Sequence, residues 1–429
     1  MPADQIEIVP ITRPLAATVK VPGSKSITNR ALILAAMADG RSVIDYVLLS
    51  DDTRRMVEAL RALGFTVEVD EAARRITVAG RGGMIPSPGA NLDAGGAGTA
   101  MRFLAGFLTL GRGRYRIDGN TRMRERPIGA LLDAMRALGV NVTSELSNRC
   151  PPIIIDTTDA AVEGGTTSID ASLSSQFVSS LLMPAPLWRS GLRLTAPGDT
   201  ARPFIAMTLR LMEHWGAAST LAGDVIVVPG GQRYHAMNFT VEPDATGASY
   251  FAAAAALVGG TVTIEGLTKT SVQGDARFLD LLEQMGARVT WHADAVEVSG
   301  TGKLSGVDVA MNPMPDVVPT LAAIAPFADS PTRIRNVAFI RHHESDRIRA
   351  LATELRRLGA RVQEFDDGLE IAPSELRPAA IETYDDHRIA MAFAVIGLKL
   401  PGVRINDPGC VAKTYPEFFD DLKRLIQSA

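Results

Sequence analysis

The strongest constraint on this chain is a pattern that returns five times: an apolar helix end, a glycine, then an alternating strand. It reads Ala59-Leu60-Arg61-Ala62-Leu63-Gly64-Phe65-Thr66-Val67, then Ala134-Met135-Arg136-Ala137-Leu138-Gly139-Val140-Asn141-Val142. It returns at Leu211 to Gly216, Leu281 to Gly286 and Glu354 to Gly359. Glycines 64, 139, 216, 286 and 359 therefore stand at intervals of 75, 77, 70 and 73 residues. A glycine just past a helix is the left-handed C-terminal cap. The alternation after it predicts a half-buried strand.

A sixth helix, Pro416 to Gln427, falls at the expected interval, and its strand is missing. Ile6 to Val9 and Ala17 to Val21 both alternate, so the N-terminus is expected to complete the last repeat. The reading is six units of roughly 70 residues, longer than solenoid repeats, in two globular domains of three. Residues 1–22 with 242–429 form a discontinuous domain, and residues 23–241 are inserted within it.

Composition limits the function. Of 429 residues, 46% are hydrophobic and 21% charged, the balance of a globular protein. A net charge of −4 does not favour nucleic acid or an anionic membrane. The longest apolar runs are too short to span a bilayer, and the first residues lack signal-peptide character. Cys150 and Cys410 are the only cysteines, which suggests a reducing compartment. A cytoplasmic location is expected, with no transit peptide.

Polar motifs cluster where apolar helices begin. Pro22-Gly23-Ser24-Lys25-Ser26-Ile27-Thr28-Asn29-Arg30 puts a lysine, hydroxyls and an arginine at one helix start. The first amides of a helix have no internal partners, so such a start suits phosphate or carboxylate. Ser24 rather than glycine precedes Lys25, so this is not a Walker loop. Gly95-Gly96-Ala97-Gly98 opens a second helix, where glycines let amides approach an anion. Ser174-Ser175-Gln176 precedes a third and reads equally as a cap. Asp316, in Pro315-Asp316-Val317-Val318-Pro319, is a carboxylate that reads equally as a helix cap. Arg341-His342-His343-Glu344-Ser345-Asp346-Arg347 gathers groups able to tune proton transfer. Asp385-Asp386-His387-Arg388 and Ala412-Lys413-Thr414 complete the set. Arg112, Arg114, Arg116, Arg122, Arg124 and Arg126 crowd one segment that reads mainly as a solvated basic face. If these helix starts face one cleft, they surround a highly anionic ligand, with Asp316 and Glu344 nearby for proton transfer.

These motifs, in this order, resemble those of the EPSP synthase (3-phosphoshikimate 1-carboxyvinyltransferase) family, essentially end to end. The resemblance implies an α/β (α+β) fold, a two-domain inverse α/β-prism of three βαβαββ repeats per domain with the active site in the inter-domain cleft. It implies a reaction of shikimate 3-phosphate with phosphoenolpyruvate and no metal or organic cofactor. By motif, Lys25, Ser26, Arg30, Ser174, Ser175, Gln176 and Asp316 would hold shikimate 3-phosphate. Lys25, Gly96, Gly98, Arg122, Gln176, His343, Arg347, Arg388 and Lys413 would hold phosphoenolpyruvate. Asp316 and Glu344 would exchange protons, with Lys25 and His387 also catalytic. The partners implied are these small molecules alone, with no nucleic acid or membrane, and a monomer is expected.

The chain departs from the family's usual residues at Gly96 (Asn), Phe103 (Pro), Ala201 (Ser), Phe204 (Tyr) and His343 (Lys). A histidine is charged only in part at neutral pH, so weaker or more pH-dependent phosphoenolpyruvate binding is expected. The same route would lower sensitivity to glyphosate, the family's competitive inhibitor; the retained Gly98 argues the other way. The sister enzyme, UDP-N-acetylglucosamine enolpyruvyl transferase, usually has Lys-Asn where Lys25-Ser26 stands and a reactive cysteine where this chain has Arg122 and Arg124. A non-catalytic anion-binding protein would leave Asp316 and Glu344 without purpose.

Overall fold

The computed structural model describes residues 4–170, 174–198 and 202–429. The chain forms two compact units, one of Gly23–Val241 and one of Met1–Pro22 with Glu242–Ala429.

The unit Gly23–Val241 holds three four-stranded sheets. In one, Gly89–Asp93 lies parallel to Arg114–Asp118, which pairs antiparallel with Ile153–Asp156, and Asn141–Ser144 follows at the edge. Gly165–Ser168, Leu192–Thr195, Val225–Val228 and Thr220–Ala222 repeat that order. In the third, the parallel first strand is Asn238–Thr240, which joins Asp39–Asp45 from the far end of the unit.

The other unit repeats this scheme. Asp308–Ala310, Thr332–Arg335, Gly368–Ala372 and Arg361–Phe365 form one sheet. The N-terminal strands serve two others. Gln5–Glu7 pairs antiparallel with Arg404–Asn406 and so completes the last repeat, in a sheet of three strands with Ala380–Ile381. Leu15–Val19 does not join it. It lies parallel to Gly260–Glu265, in the sheet with Ala295–Gly300 and Arg288–Trp291. That corrects the expectation that both strands complete the last repeat. The repeat after the crossing begins directly with a helix, Ala245–Val258, and lacks a first strand of its own. Leu15–Val19 supplies that parallel first strand.

Every sheet is fed by one helix that is apolar nearly all round. Lys25–Met37 is buried from Ile27 to Met37, and Gly98–Phe107 is buried throughout. Ala245–Val258, Val318–Ile324 and His387–Gly397 are equally enclosed. A helix hydrophobic on all faces belongs in a core, and small residues such as the Ala252–Ala256 run permit close packing. The second helix of each repeat is amphipathic and covers the outside, as Asp51–Ala62 and Arg347–Arg357 do.

The five recurring glycines have φ between +82° and +104°. Each closes a Schellman motif. Phe65 N donates to Leu60 O while Gly64 N donates to Arg61 O, and the same pair recurs at Gly139, Gly216, Gly286 and Gly359. The arginine three residues before the glycine ties down the outgoing strand. Arg61 donates to Val67 O, Arg136 to Val142 O and Arg356 to Val362 O.

These caps separate backbone strain from collision. A Cβ at Gly139 would meet nothing within 4 Å, whereas at Gly64 it would lie 2.9 Å from Pro86 Cβ. Gly139→Ala is expected to cost about 1–2 kcal/mol, the left-handed penalty alone. Gly64→Ala is expected to cost more; urea unfolding midpoints of the two variants measure the difference.

Candidate active site

In the discontinuous unit, one arginine organises the polar residues. Arg347 begins the helix Arg347–Arg357, and its side chain is 1% exposed. Its Nε donates to Asp386 Oδ2 at 2.9 Å and its Nη2 to Glu344 Oε2 at 2.7 Å. Its Nη1 donates to Asp316 Oδ1 at 3.1 Å and lies 3.1 Å from His343 Nδ1. Arg388 Nη2 donates to the other Asp316 oxygen at 2.7 Å, and Lys413 Nζ stands 3.5 Å from Glu344 Oε1. Burial alone would push the Arg347 guanidinium down; Asp386, Glu344 and Asp316 outweigh it and hold it above its ordinary value. Arg388 is likewise held up against burial, first by Asp316.

Three carboxylates and three cations thus share one cluster. Charge-assisted bonds of this kind are strong and directional. Each of the two Asp316 oxygens accepts from one of the two arginines. Asp386 does cap, accepting from Arg388 N at 3.0 Å, while its other oxygen holds Ser345 Oγ and Arg347. His387 is fully buried beside it, with Nδ1 3.9 Å from Asp386 Oδ1.

His343 Nδ1 lies 3.1 Å from Arg347 Nη1, and its ring stands edge-on to Phe339 with centroids 5.9 Å apart.

Asp275 joins this neighbourhood unforeseen. It lies in the turn Gly274–Arg277, buried, accepting a hydrogen bond from Thr246 Oγ1. Burial first, and then Asp316, push its carboxyl up from 3.8 to about 7.

In the inserted unit, Lys25 opens its helix with Nζ 3.2 Å from Asp52 Oδ2. Gly23 is needed for close approach, since a Cβ there would sit 1.9 Å from Tyr46 O. Arg30 is buried and bonds only neutral acceptors among its described hydrogen bonds. Nε donates to Thr208 Oγ1, Nη1 to Ser26 O, and Nη2 to Ser179 Oγ and Phe204 O. Its guanidinium lies over the Phe103 ring, 4.9 Å from the centroid, so that departure from the family supplies an aromatic face. Burial pushes the Arg30 guanidinium down to about 9.

Ser174 is a cap, its side chain accepting from Gln176 N, and Ser175 is buried at the start of the helix Ser175–Leu182. Gln176 Oε1 is buried with no hydrogen-bond partner among the described residues. At Gly98 a Cβ would stand 2.3 Å from Arg102 Nη1 and 2.9 Å from Arg126 Nη1. Two buried guanidiniums therefore converge behind the Gly96-Ala97-Gly98 turn, and neither was singled out as a site residue from the sequence. Arg126 lies within the arginine-rich segment at the same spacing of two as Arg122 and Arg124, so the sequence pattern does not mark it. The rest of that segment is largely committed elsewhere. Arg124 and Arg116 hold Asp118, whose carboxyl these bonds pull down to about 2, and Arg116 also holds Glu145. Arg122 is partly exposed and paired with Glu125 at 3.0 Å. Ala201 lies outside the described residues.

Neither thiol is built for reactivity. Burial pushes Cys410 up to about 12 and raises Cys150 as well. No helix among the described residues is long and apolar enough to cross a membrane.

A two-domain α/β fold with acids and cations massed at the starts of buried helices defines an enzyme class that handles multiply anionic small molecules. The comparisons narrow it to one family. The profile of EPSP synthase (3-phosphoshikimate 1-carboxyvinyltransferase) matches residues 9–422. A 3-phosphoshikimate 1-carboxyvinyltransferase from Nostoc sp. is 47% identical, over 99% of this chain and 100% of that protein. A chloroplastic one from Nicotiana tabacum is 45% identical, over 98% of this chain and 85% of that protein. Among solved structures, an EPSP synthase from Acinetobacter baumannii superposes with a TM-score of 0.83 at 26% identity, covering 99% of this chain and 98% of that one. The chain belongs to the EPSP synthase family.

The raised Asp275 carboxyl has a defined pH signature. Its folded value lies above its unfolded one, so its contribution to stability is full below about 4 and is lost as pH rises through about 7. The melting temperature of wild type is expected to fall relative to Asp275→Asn between pH 5 and about 8; parallel curves would remove the assignment.

Proposed function

We propose that this protein transfers the enolpyruvyl group of phosphoenolpyruvate to the 5-hydroxyl of shikimate 3-phosphate, giving 5-enolpyruvylshikimate 3-phosphate and phosphate. It is a 3-phosphoshikimate 1-carboxyvinyltransferase of the shikimate pathway, which leads to aromatic amino acids. The observation that carries the site assignment is the cluster in which Arg347 holds Asp316, Glu344 and Asp386 beside Arg388 and Lys413.

The chemistry proceeds by addition and elimination. The 5-hydroxyl oxygen bonds to the enol carbon and loses its proton, while the methylene carbon gains one. The tetrahedral intermediate then breaks its bond to phosphate, and a proton leaves the new methyl group to restore the double bond. Asp316 and Glu344 are the groups we assign to these proton transfers. Both are held by donors whose charge an arriving anion would share. Arg347, Arg388, Lys413 and His343 serve the phosphate and carboxylate of phosphoenolpyruvate, as do Lys25, Gln176, Arg122 and the Gly96 to Gly98 turn backed by Arg102 and Arg126. Ser26, Arg30, Ser174 and Ser175, with Lys25, Gln176 and Asp316, serve shikimate 3-phosphate. Arg30 supports this role by its burial among hydroxyl and carbonyl partners within the described residues. Pre-placed charges need no reorganisation as the reaction proceeds. His387 supports the cluster from behind Asp386. We take the working protein to be a cytoplasmic monomer acting on small molecules.

Phosphate release tests the reading. Release from wild type is expected to require both substrates, to fail with UDP-N-acetylglucosamine as acceptor, and to fall about 100-fold or more in Asp316→Ala and in Glu344→Ala. Release with the nucleotide sugar alone would move the protein to the sister activity. Gly98→Ala must displace Arg102 and Arg126. It is expected to raise KM for phosphoenolpyruvate roughly tenfold, as a loss of about 1.4 kcal/mol gives, with KM for shikimate 3-phosphate little changed.

A further inference from the structure

A strained turn stands directly before the Asp386-His387-Arg388 run. Tyr384 and Asp385 both lie in the left-handed region, with φ of +56° and +53°. They are the central residues of a turn closed by Asp386 N donating to Thr383 O at 2.8 Å. Such a pair normally calls for Asn-Gly; a tyrosine and an aspartate hold it at a cost. Strain of this kind persists only where the surroundings impose it.

A buried carboxylate holds the turn through its tyrosine. Glu354, on the outer helix Arg347–Arg357, is fully buried. Its Oε1 accepts from Tyr384 Oη at 2.7 Å, and its Oε2 accepts from Glu382 N at 3.2 Å. Arg357 Nε neutralises it at 2.9 Å. Burial and Glu354 together hold the Tyr384 phenol up at about 12, so it remains a donor. The turn thus fastened delivers Asp386, whose two oxygens hold Ser345, Arg347 and the first turn of the helix His387–Gly397.

We propose that Glu354 is a positioning residue: through Tyr384 it clamps the strained turn that sets Asp386, and thereby orients Arg347 and Arg388. The kinetic part rests on the function proposed above.

Tyr384→Phe tests it. It removes only the hydroxyl of a partly exposed side chain. The expected result is a five- to tenfold rise in KM for phosphoenolpyruvate, an unchanged KM for shikimate 3-phosphate, and faster amide exchange at Arg388 and Ile389. Tyr384→Phe with Asp385→Gly places a residue suited to left-handed backbone in the turn, and should return both readings to within about twofold of wild type. Glu354→Gln should behave like Tyr384→Phe. A Tyr384→Phe protein with wild-type KM and exchange, or with only a lowered melting temperature, would overturn the clamp. So would a double variant that shows no recovery. Wild type without turnover on these substrates would overturn the functional reading instead, and amide exchange would still decide the clamp.

Discussion

A helix buried on every side can show its polarity only at its ends, and that constraint governs this molecule. Lys25–Met37, Gly98–Phe107, Ala245–Val258 and His387–Gly397 present apolar side chains around nearly their whole circumference. Their first amides have no partner within the helix and must find one at its start. Residues that can meet polar ligands must then gather at those starts, and they do: Lys25, Gly98, Asp244 and Asp386 each stand at one. The outer helices, capped by their left-handed glycines, are free to be amphipathic and ordinary.

Within the discontinuous unit the polar ends are knitted by arginine. A buried guanidinium with a single acid would leave donors unmet, and three lone acids would repel one another. Arg347 resolves both by serving Asp316, Glu344 and Asp386 at once. Removing one member of such a network leaves the others buried and poorly compensated, which costs more than the bond itself. The inserted unit uses the opposite arrangement. Among the described residues, Arg30 bonds to hydroxyls and carbonyls and lies over a ring.

Much of this was legible in the sequence because it depends on local rules. The Gly64 to Gly359 series announced five helix ends, since a left-handed cap is written in adjacent residues. The motifs at Lys25, Gly98, Glu344-Arg347 and Asp386-Arg388 announced the site for the same reason. What failed to show was pairing across long separations. Ala17 to Val21 alternates as any strand would, and nothing in that alternation distinguishes the last sheet from the one built on Gly260–Glu265. Asp316 read equally as a cap or an acid, because the choice depends on Arg347 and Arg388, distant in sequence. Arg102, Arg126 and Asp275 escape the sequence because a charged residue's burial is set by contacts distant in the chain. His343 stands beside Arg347, as its place in the Arg341 to Arg347 run suggests.

The interleaving of the chain ends bears on the order in which the protein is made. Gln5–Glu7 pairs with Arg404–Asn406, and Gln5 bonds to Asn406 across 401 residues of sequence. Gly23–Val241 contains every strand of its own three sheets and can close as soon as Asn238–Thr240 emerges. The first two strands must wait through all of that synthesis, unpaired, until Gly260–Glu265 and then Arg404–Asn406 arrive. Open strand edges invite foreign partners, and such distant pairings are slow to form. The inserted unit therefore matures first, while the ribosome still holds the residues that will seat the earliest part of the chain.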